Sequence, residues 1–309
     1  MPLQDDFDEG RKNVDKATGD KVSLGLDYPC CPQLPGSPSK PMNMALQFLI
    51  PLSKTDPAIQ IKGEDIQLVS DRIQEPSDPV GIERAEYYAE FLRERGLTQE
   101  VRGIKACVTG PFTLASYIDR KNLLSCGASK ANVVTALARV LSKSCKRLSD
   151  LGFDLINIDE PFLSVMLGRT VLFKYDQEFI IETLNLLIDE ISGASAIHVC
   201  GIVTPLVKTV LLRTDADIVD HEFAGSPANL RAYTSDDLGR SGKFLAYGCV
   251  SSVSPRVETV DEISASLMNA LNRFGPRIIV KPDCGFGGML GIPDAYASVL
   301  SKLKNMVHG

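Results

Sequence analysis

No run of apolar residues in this chain approaches the ~18 residues that a membrane-spanning helix needs. The first six residues, Met1-Pro2-Leu3-Gln4-Asp5-Asp6, are polar and acidic, unlike the basic and apolar regions of a secretion signal. Positive charge is not in excess: 33 Lys and Arg stand against 39 Asp and Glu, a net charge of −6. Nucleic acid and membrane are thereby set aside as partners, and the cytoplasm is the expected location. Two nucleotide signatures are missing as well. No Gly-x-Gly-x-x-Gly opens a helix after the first expected strand, and no Gly-x-x-x-x-Gly-Lys-Ser/Thr occurs. Histidine is scarce, with three residues in 309.

Cysteine is not scarce. Eight Cys in a chain without an export signal read as reduced thiols or metal ligands rather than disulfides. Hydrophobic residues at 44% and charged residues at 23% describe a folded globular chain. The length allows two domains or one α/β barrel of about 250–300 residues.

The order of apolar runs decides between them. Short runs at Val22-Leu26, Ile104-Thr109, Leu155-Asp159, Ala196-Cys200, Asp217-Glu222, Phe244-Val250 and Ile278-Asp283 suit strands buried on both faces, with a weaker eighth near Ile66-Val69. Helical periodicity lies between them, over 81–95, 132–151, 177–191, 259–274 and 292–307. Thr259 with Glu262 forms a capping-box pattern. This alternation predicts a single (β/α)8 TIM barrel over 21–309, preceded by a polar N-terminal arm over 1–20. The Pro- and Gly-rich stretch 27–65 reads as a long loop, and Gly285-Phe286-Gly287-Gly288 after the last strand suits a close ligand approach.

Within that frame, His198 and Cys200 are two apart on a strand and share a face at its C-terminal end. The next strand ends at Glu222, and the last runs into Pro282-Asp283-Cys284-Gly285. Barrel chemistry gathers at the C-terminal ends of strands, so His198, Cys200, Glu222 and Cys284 are candidates for one tetrahedral zinc site. Such a set leaves zinc a weak Lewis acid for water but able to hold a substrate thiol as its nucleophilic thiolate. A His-x-Cys in a buried strand is also compatible with plain packing, since free Cys is commonly buried.

The steps of 2, 22 and 62 residues from His198 to Cys200, Glu222 and Cys284 resemble those of the C-terminal catalytic barrel of cobalamin-independent methionine synthase, in a short single-barrel form. Glu222-Phe223-Ala224-Gly225, Pro282-Asp283-Cys284-Gly285, Asn157-Ile158-Asp159-Glu160-Pro161 and Thr109-Gly110-Pro111-Phe112-Thr113 extend the resemblance over roughly residues 80–309. It implies Zn2+ on the four ligands, homocysteine as thiol substrate, and Asp159 on the substrate amine. Glu160 is a second candidate substrate contact. Two places depart from the family. Leu24-Gly25-Leu26-Asp27 stands where the family has Ile-Gly-Ser, and alignment on Glu83-Arg84 places Gly81 where the family carries a Glu. Asp27 and Glu83 are therefore candidates for the amino-acid end of the substrate.

A single barrel lacks the extra N-terminal barrel of the folate-using form. The resemblance then implies a methylated corrinoid, free or on a corrinoid protein, as methyl donor. The expected reaction is zinc-dependent methyl transfer to homocysteine, giving methionine. Alternatives are another thiol such as coenzyme M, a uroporphyrinogen decarboxylase-like enzyme, and a non-catalytic barrel with structural zinc. The absence of Arg from 22–40 counts against the decarboxylase, which needs cations for its carboxylates. His221 is expected to face the helix layer, Cys249 to pack, Cys30 and Cys31 to lie in a loop over the mouth, and Cys107, Cys126 and Cys145 to sit in the core or on helix faces.

Overall fold

The computed structural model describes residues 3–33, 36–37, 40–41, 43–63, 65–122, 124–168 and 172–309. Six strands run in parallel: β1 (Lys105–Thr109), β2 (Leu155–Asp159), β3 (Ala194–Val199), β4 (Ile218–Glu222), β5 (Phe244–Val250) and β6 (Ile278–Pro282). Each pairs with the next in chain order. β2 and β4 are buried at every position but the last, as expected for strands covered on both faces. The molecule is a single α/β barrel of the (β/α)8 TIM type. Its first strand position is reduced to one bridge, Cys30 to Lys105, and among the described residues no eighth strand joins the sheet.

The alternation of strand side chains sorts inside from outside. Leu155, Ala196, Ile218 and Ala246 form a small apolar plug inside the barrel, with Ala194 and Ile279 against it. The larger core lies between strands and helices. There Val108, Ile158, Ile197 and Val219 pack on helices such as Ala131–Asp150 and Gln177–Ile188. The capping box expected at Thr259 and Glu262 opens the helix Val260–Phe274.

Four expectations fail at the N-terminal end. The polar arm over 1–20 is a helix, Leu3–Ser23, so the boundary placed at residue 20 falls inside it. Val14, Thr18 and Val22 lie four residues apart and bury one narrow stripe. Tyr87 and Tyr296 donate hydrogen bonds to Asp15 and Asp20 from two barrel helices. That helix consumes the start of the run Val22-Leu26, which therefore makes no strand. The edge position is taken eight residues later, where Cys31 N–H donates to Lys105 O and Lys105 N–H to Pro29 O. The weak run Ile66-Val69 belongs to an antiparallel hairpin, Ile59–Lys62 with Asp65–Leu68. The hairpin lies on the loop beyond β1, where Asp119 N–H donates to Ile66 O. The stretch 27–65, read as loop, also contains the helix Leu46–Thr55.

Candidate active site

His198, near the end of β3, and Cys200, just past it, meet Cys284 from beyond β6. Their ligand atoms all lie within 4.8 Å of one another. His198 Nε2 is 3.0 Å from Cys200 Sγ, which is 3.8 Å from Cys284 Sγ. Two thiolates bound to one tetrahedral zinc at ~2.3 Å each would stand about 3.8 Å apart, so the sulfur pair already has the separation a shared zinc requires. One imidazole and two thiols is also the donor chemistry that zinc prefers. The residues fit the metal.

The surroundings hold the trio in place. His198 Nδ1 lies 2.7 Å from Asp220 Oδ1, and Asp220 is 2% exposed. Lys281 Nζ reaches the same carboxylate at 2.7 Å and Lys105 Nζ at 3.7 Å. Burial resists ionisation of Asp220, but Lys281, His198 and Lys105 outweigh it and hold the carboxyl well below the usual range. Burial likewise opposes a charge on His198, yet the Asp220 carboxylate raises the imidazole to about 10. The Cys284 thiol is lowered to about 4 by the hydrogen bond from Cys200 and the charges of His198 and Lys281, while Cys200 is pushed up.

Asp283 is a structural clamp. Its carboxylate accepts from the N–H groups of Phe223 (2.9 Å), Ala224 (3.0 Å) and Gly225 (2.6 Å). This ties the turn after β4 to the end of β6. A shift of register between Lys281 and Pro282 turns the chain there and brings Cys284 to the mouth. A side chain at Gly248 would collide with Asp283, with a Cβ 2.5 Å from Oδ1.

Not every candidate joins the trio. Glu222 ends β4 at the same rim, but its carboxylate accepts from Gly201 N–H at 2.8 Å, beside Cys200 rather than within the group. Asp159 ends β2 opposite His198 and takes a 2.6 Å hydrogen bond from Asn157 Nδ2. Burial raises its carboxyl to about 6.

Glu160 departs from the expected substrate contact. It is fully buried and accepts from Phe112 N–H, Thr113 N–H and Thr113 Oγ1 at 2.9, 2.9 and 2.6 Å. The next residue along a strand points away from the barrel interior, so Glu160 closes the N-terminus of the helix Pro111–Ser116 instead. Burial outweighs those donors and pushes its carboxyl up to about 7.

Asp27 lies at the opposite rim. Its carbonyl accepts from Arg102 and Gly103 before β1 begins, and its carboxylate pairs with Arg102 in the open. The missing strand at 22–26 explains the error, because Asp27 enters the barrel wall rather than leaving it. Glu83 opens the helix Glu83–Glu94 as an exposed residue of the outer layer.

Of the remaining candidates, His221 faces outward as expected, between Val199 O and Tyr233 OH, and burial lowers it to about 4. Cys249 is buried. Cys30 and Cys107 correct the expectation of a loop thiol and a core thiol: their sulfurs lie 3.7 Å apart beside Lys105. The hydrogen bond with Cys107 and the nearby lysines lower Cys30 to about 6. The residues that sequence reasoning passed over are Asp220, Lys281, Lys105 and Asn157. One signal was available for the first: Asp220 precedes Glu222 by two and so shares its face.

The match with known proteins agrees with this geometry. Residues 56–309 match the family described as cobalamin-independent synthase, catalytic domain. The chain belongs to that family and is an enzyme. It is 30% identical over 308 residues to a methionine synthase of Methanothermobacter thermautotrophicus, covering 97% of this chain and 89% of the relative. A methionine synthase of Methanothermobacter marburgensis is 28% identical with the same coverage. The fold is shared with a B12-independent methionine synthase from Shewanella sp. W3-18-1, solved in complex with selenomethionine. The TM-score is 0.68 at 17% identity, over 97% of this chain and 86% of that one. A methylated corrinoid donor and a corrinoid partner are overturned by this family, which is cobalamin-independent. That expectation rested on chain length, which does not encode the donor's chemistry. Among the described residues, no helix is long and apolar enough to cross a membrane.

Proposed function

We propose that this enzyme is a zinc-dependent methyltransferase that methylates the thiol of homocysteine to give methionine. The observation that carries the reading is the His198–Cys200–Cys284 group, drawn from two segments 84 residues apart to one rim of a barrel whose relatives are methionine synthases. That ancestry favours methyl transfer over the decarboxylase alternative. Zinc would be held by His198, Cys200 and Cys284, with Glu222 as the fourth ligand from its place beside Gly201. Bound there, zinc supplies the electrostatic pull that keeps a thiol deprotonated at neutral pH.

The chain's own residues do the rest. Asp159 accepts from the ammonium group of homocysteine and so aims the thiol end toward the trio. Asn157 holds that carboxylate in one rotamer. Asp220 fixes the ring plane of His198 from behind. The apolar plug of Leu155, Ala196, Ile218 and Ala246 shuts the floor of the barrel against water. A displacement at a methyl carbon gains most from such alignment of nucleophile and donor.

The test is metal analysis with a thiol titration followed by X-ray absorption at the zinc edge. The expected result is about one zinc per chain and an added zinc–sulfur distance on homocysteine. Protein with zinc whose coordination is indifferent to homocysteine overturns the reading.

A further inference from the structure

We infer that Asp220 and Lys281 form a positioning pair that sets the metal ligands in their binding arrangement before metal arrives. The inference rests on the zinc site proposed above and adds two residues to it. Asp220 lies against His198, and Lys281 against Asp220 and the Asp283 carbonyl, so each acts through its neighbours.

The geometry forms one continuous chain of contacts. Asp220 Oδ1 faces His198 Nδ1 at 2.7 Å, which leaves Nε2 turned toward Cys200 and the metal position. Lys281 Nζ pairs with that same oxygen at 2.7 Å and donates to the carbonyl of Asp283 at 2.6 Å. Asp283 is the residue before Cys284, so one ammonium group ties the histidine ligand to the backbone that carries a cysteine ligand. The Asp283 carboxylate then holds the N–H groups of 223–225, immediately after Glu222. Segments from β3, β4 and β6 are thus joined through Asp220 and Lys281.

Burial makes these contacts obligatory. The side chains of His198, Asp220 and Lys281 are 5%, 2% and 14% exposed. A carboxylate in that setting is tolerated only with cationic and hydrogen-bonding partners, which Lys281, Lys105 and His198 provide. A fixed acceptor at Nδ1 keeps the proton on that nitrogen and presents Nε2 as the donor atom for metal. Losing it frees the ring to rotate and exchange tautomers.

The experiment is competitive chelator titration of zinc into full-length wild type, Asp220→Ala, Asp220→Asn and Lys281→Met. It is read together with the His198 ring-proton resonances and the thermal midpoint of the metal-free proteins. Zinc affinity is expected to fall about 10–100-fold in Asp220→Ala and Lys281→Met and less in Asp220→Asn. The Nδ1–H signal of His198 should be lost only in Asp220→Ala. If Asp220→Ala does not fold, Asp220→Asn and Lys281→Met carry the test, because both retain most of the packing. Wild-type zinc affinity in the folded variants overturns the inference. Wild-type protein that takes up no zinc overturns the zinc site itself, a distinguishable failure.

Discussion

Cys200 Sγ and Cys284 Sγ stand 3.8 Å apart across 84 residues of sequence. Neither sulfur is shared with a disulfide; both are free thiols, and both are half-buried. The pairing makes the metal-free site a store of protons as well as a set of ligands.

Zinc uptake should therefore release protons. With His198 held to about 10, Cys200 raised and Cys284 lowered to about 4, two of the three groups are protonated at pH 7.5. Calorimetry in buffers of different ionisation enthalpy is expected to report about two protons released per zinc, with affinity falling as pH falls. Release of none would contradict the assigned ligand states. In the metal-free protein the sign for His198 follows from its raised value. Its contribution is present below pH 6.5 and is lost as pH rises through about 10.

Asp159 should act on the amine end of the acceptor. Burial raises its carboxyl to about 6, so the ion pair with an ammonium group forms only above that pH. Homocysteine affinity is expected to weaken as pH drops below about 6. Asp159→Asn should remove that limb and lower affinity at least tenfold, about 1.4 kcal/mol, while sparing a thiol that carries a sulfonate tail. Equal losses for both thiols, measured by isothermal titration, would refute the role.

Glu160 should matter to stability and not to substrate. Glu160→Ala leaves two buried N–H groups and the Thr113 hydroxyl without their acceptor. A loss of about 3 kcal/mol in urea unfolding is expected, with zinc affinity retained in the folded protein. Gly110→Ala should cost about 2 kcal/mol by another route, since its Cβ would stand 2.3 Å from Glu160.

Asp27→Ala should leave both zinc affinity and homocysteine affinity unchanged. Its ion pair with Arg102 is exposed and at the wrong rim. Stability should stay within about 0.5 kcal/mol of wild type by the same urea titration. A tenfold loss of homocysteine affinity would place Asp27 at the site after all.

The strands from β1 onward were legible because each is a short apolar run between turn signals, and burial on both faces demands that composition. The runs Leu155-Asp159 and Phe244-Val250 coincide with β2 and β5 to the residue. Legibility fails at the N-terminal end for a physical reason. Val14, Thr18 and Val22 bury too narrow a stripe to look apolar in a window, and a strand of one bridge has no periodicity to detect. The acids divide in the same manner. Asp159 and Glu160 are neighbours at a strand end, and only the turn toward the helix Pro111–Ser116 assigns the second to capping.

The amino-acid order alone determined the barrel class, the spacing of His198, Cys200, Glu222 and Cys284, and the exclusion of membrane and nucleotide motifs. These depend on local composition and on period-two alternation, which a strand imposes whatever it packs against. Only the tertiary structure decided that Cys284 lies 3.8 Å from Cys200 while Glu222 rests on Gly201. It alone set Asp27 at the far rim and joined Asp220, Lys281 and His198 in one ion-paired cluster. Such placements follow from strand register and from the satisfaction of buried charge between segments distant in sequence, and neither quantity is written in any single stretch of the chain.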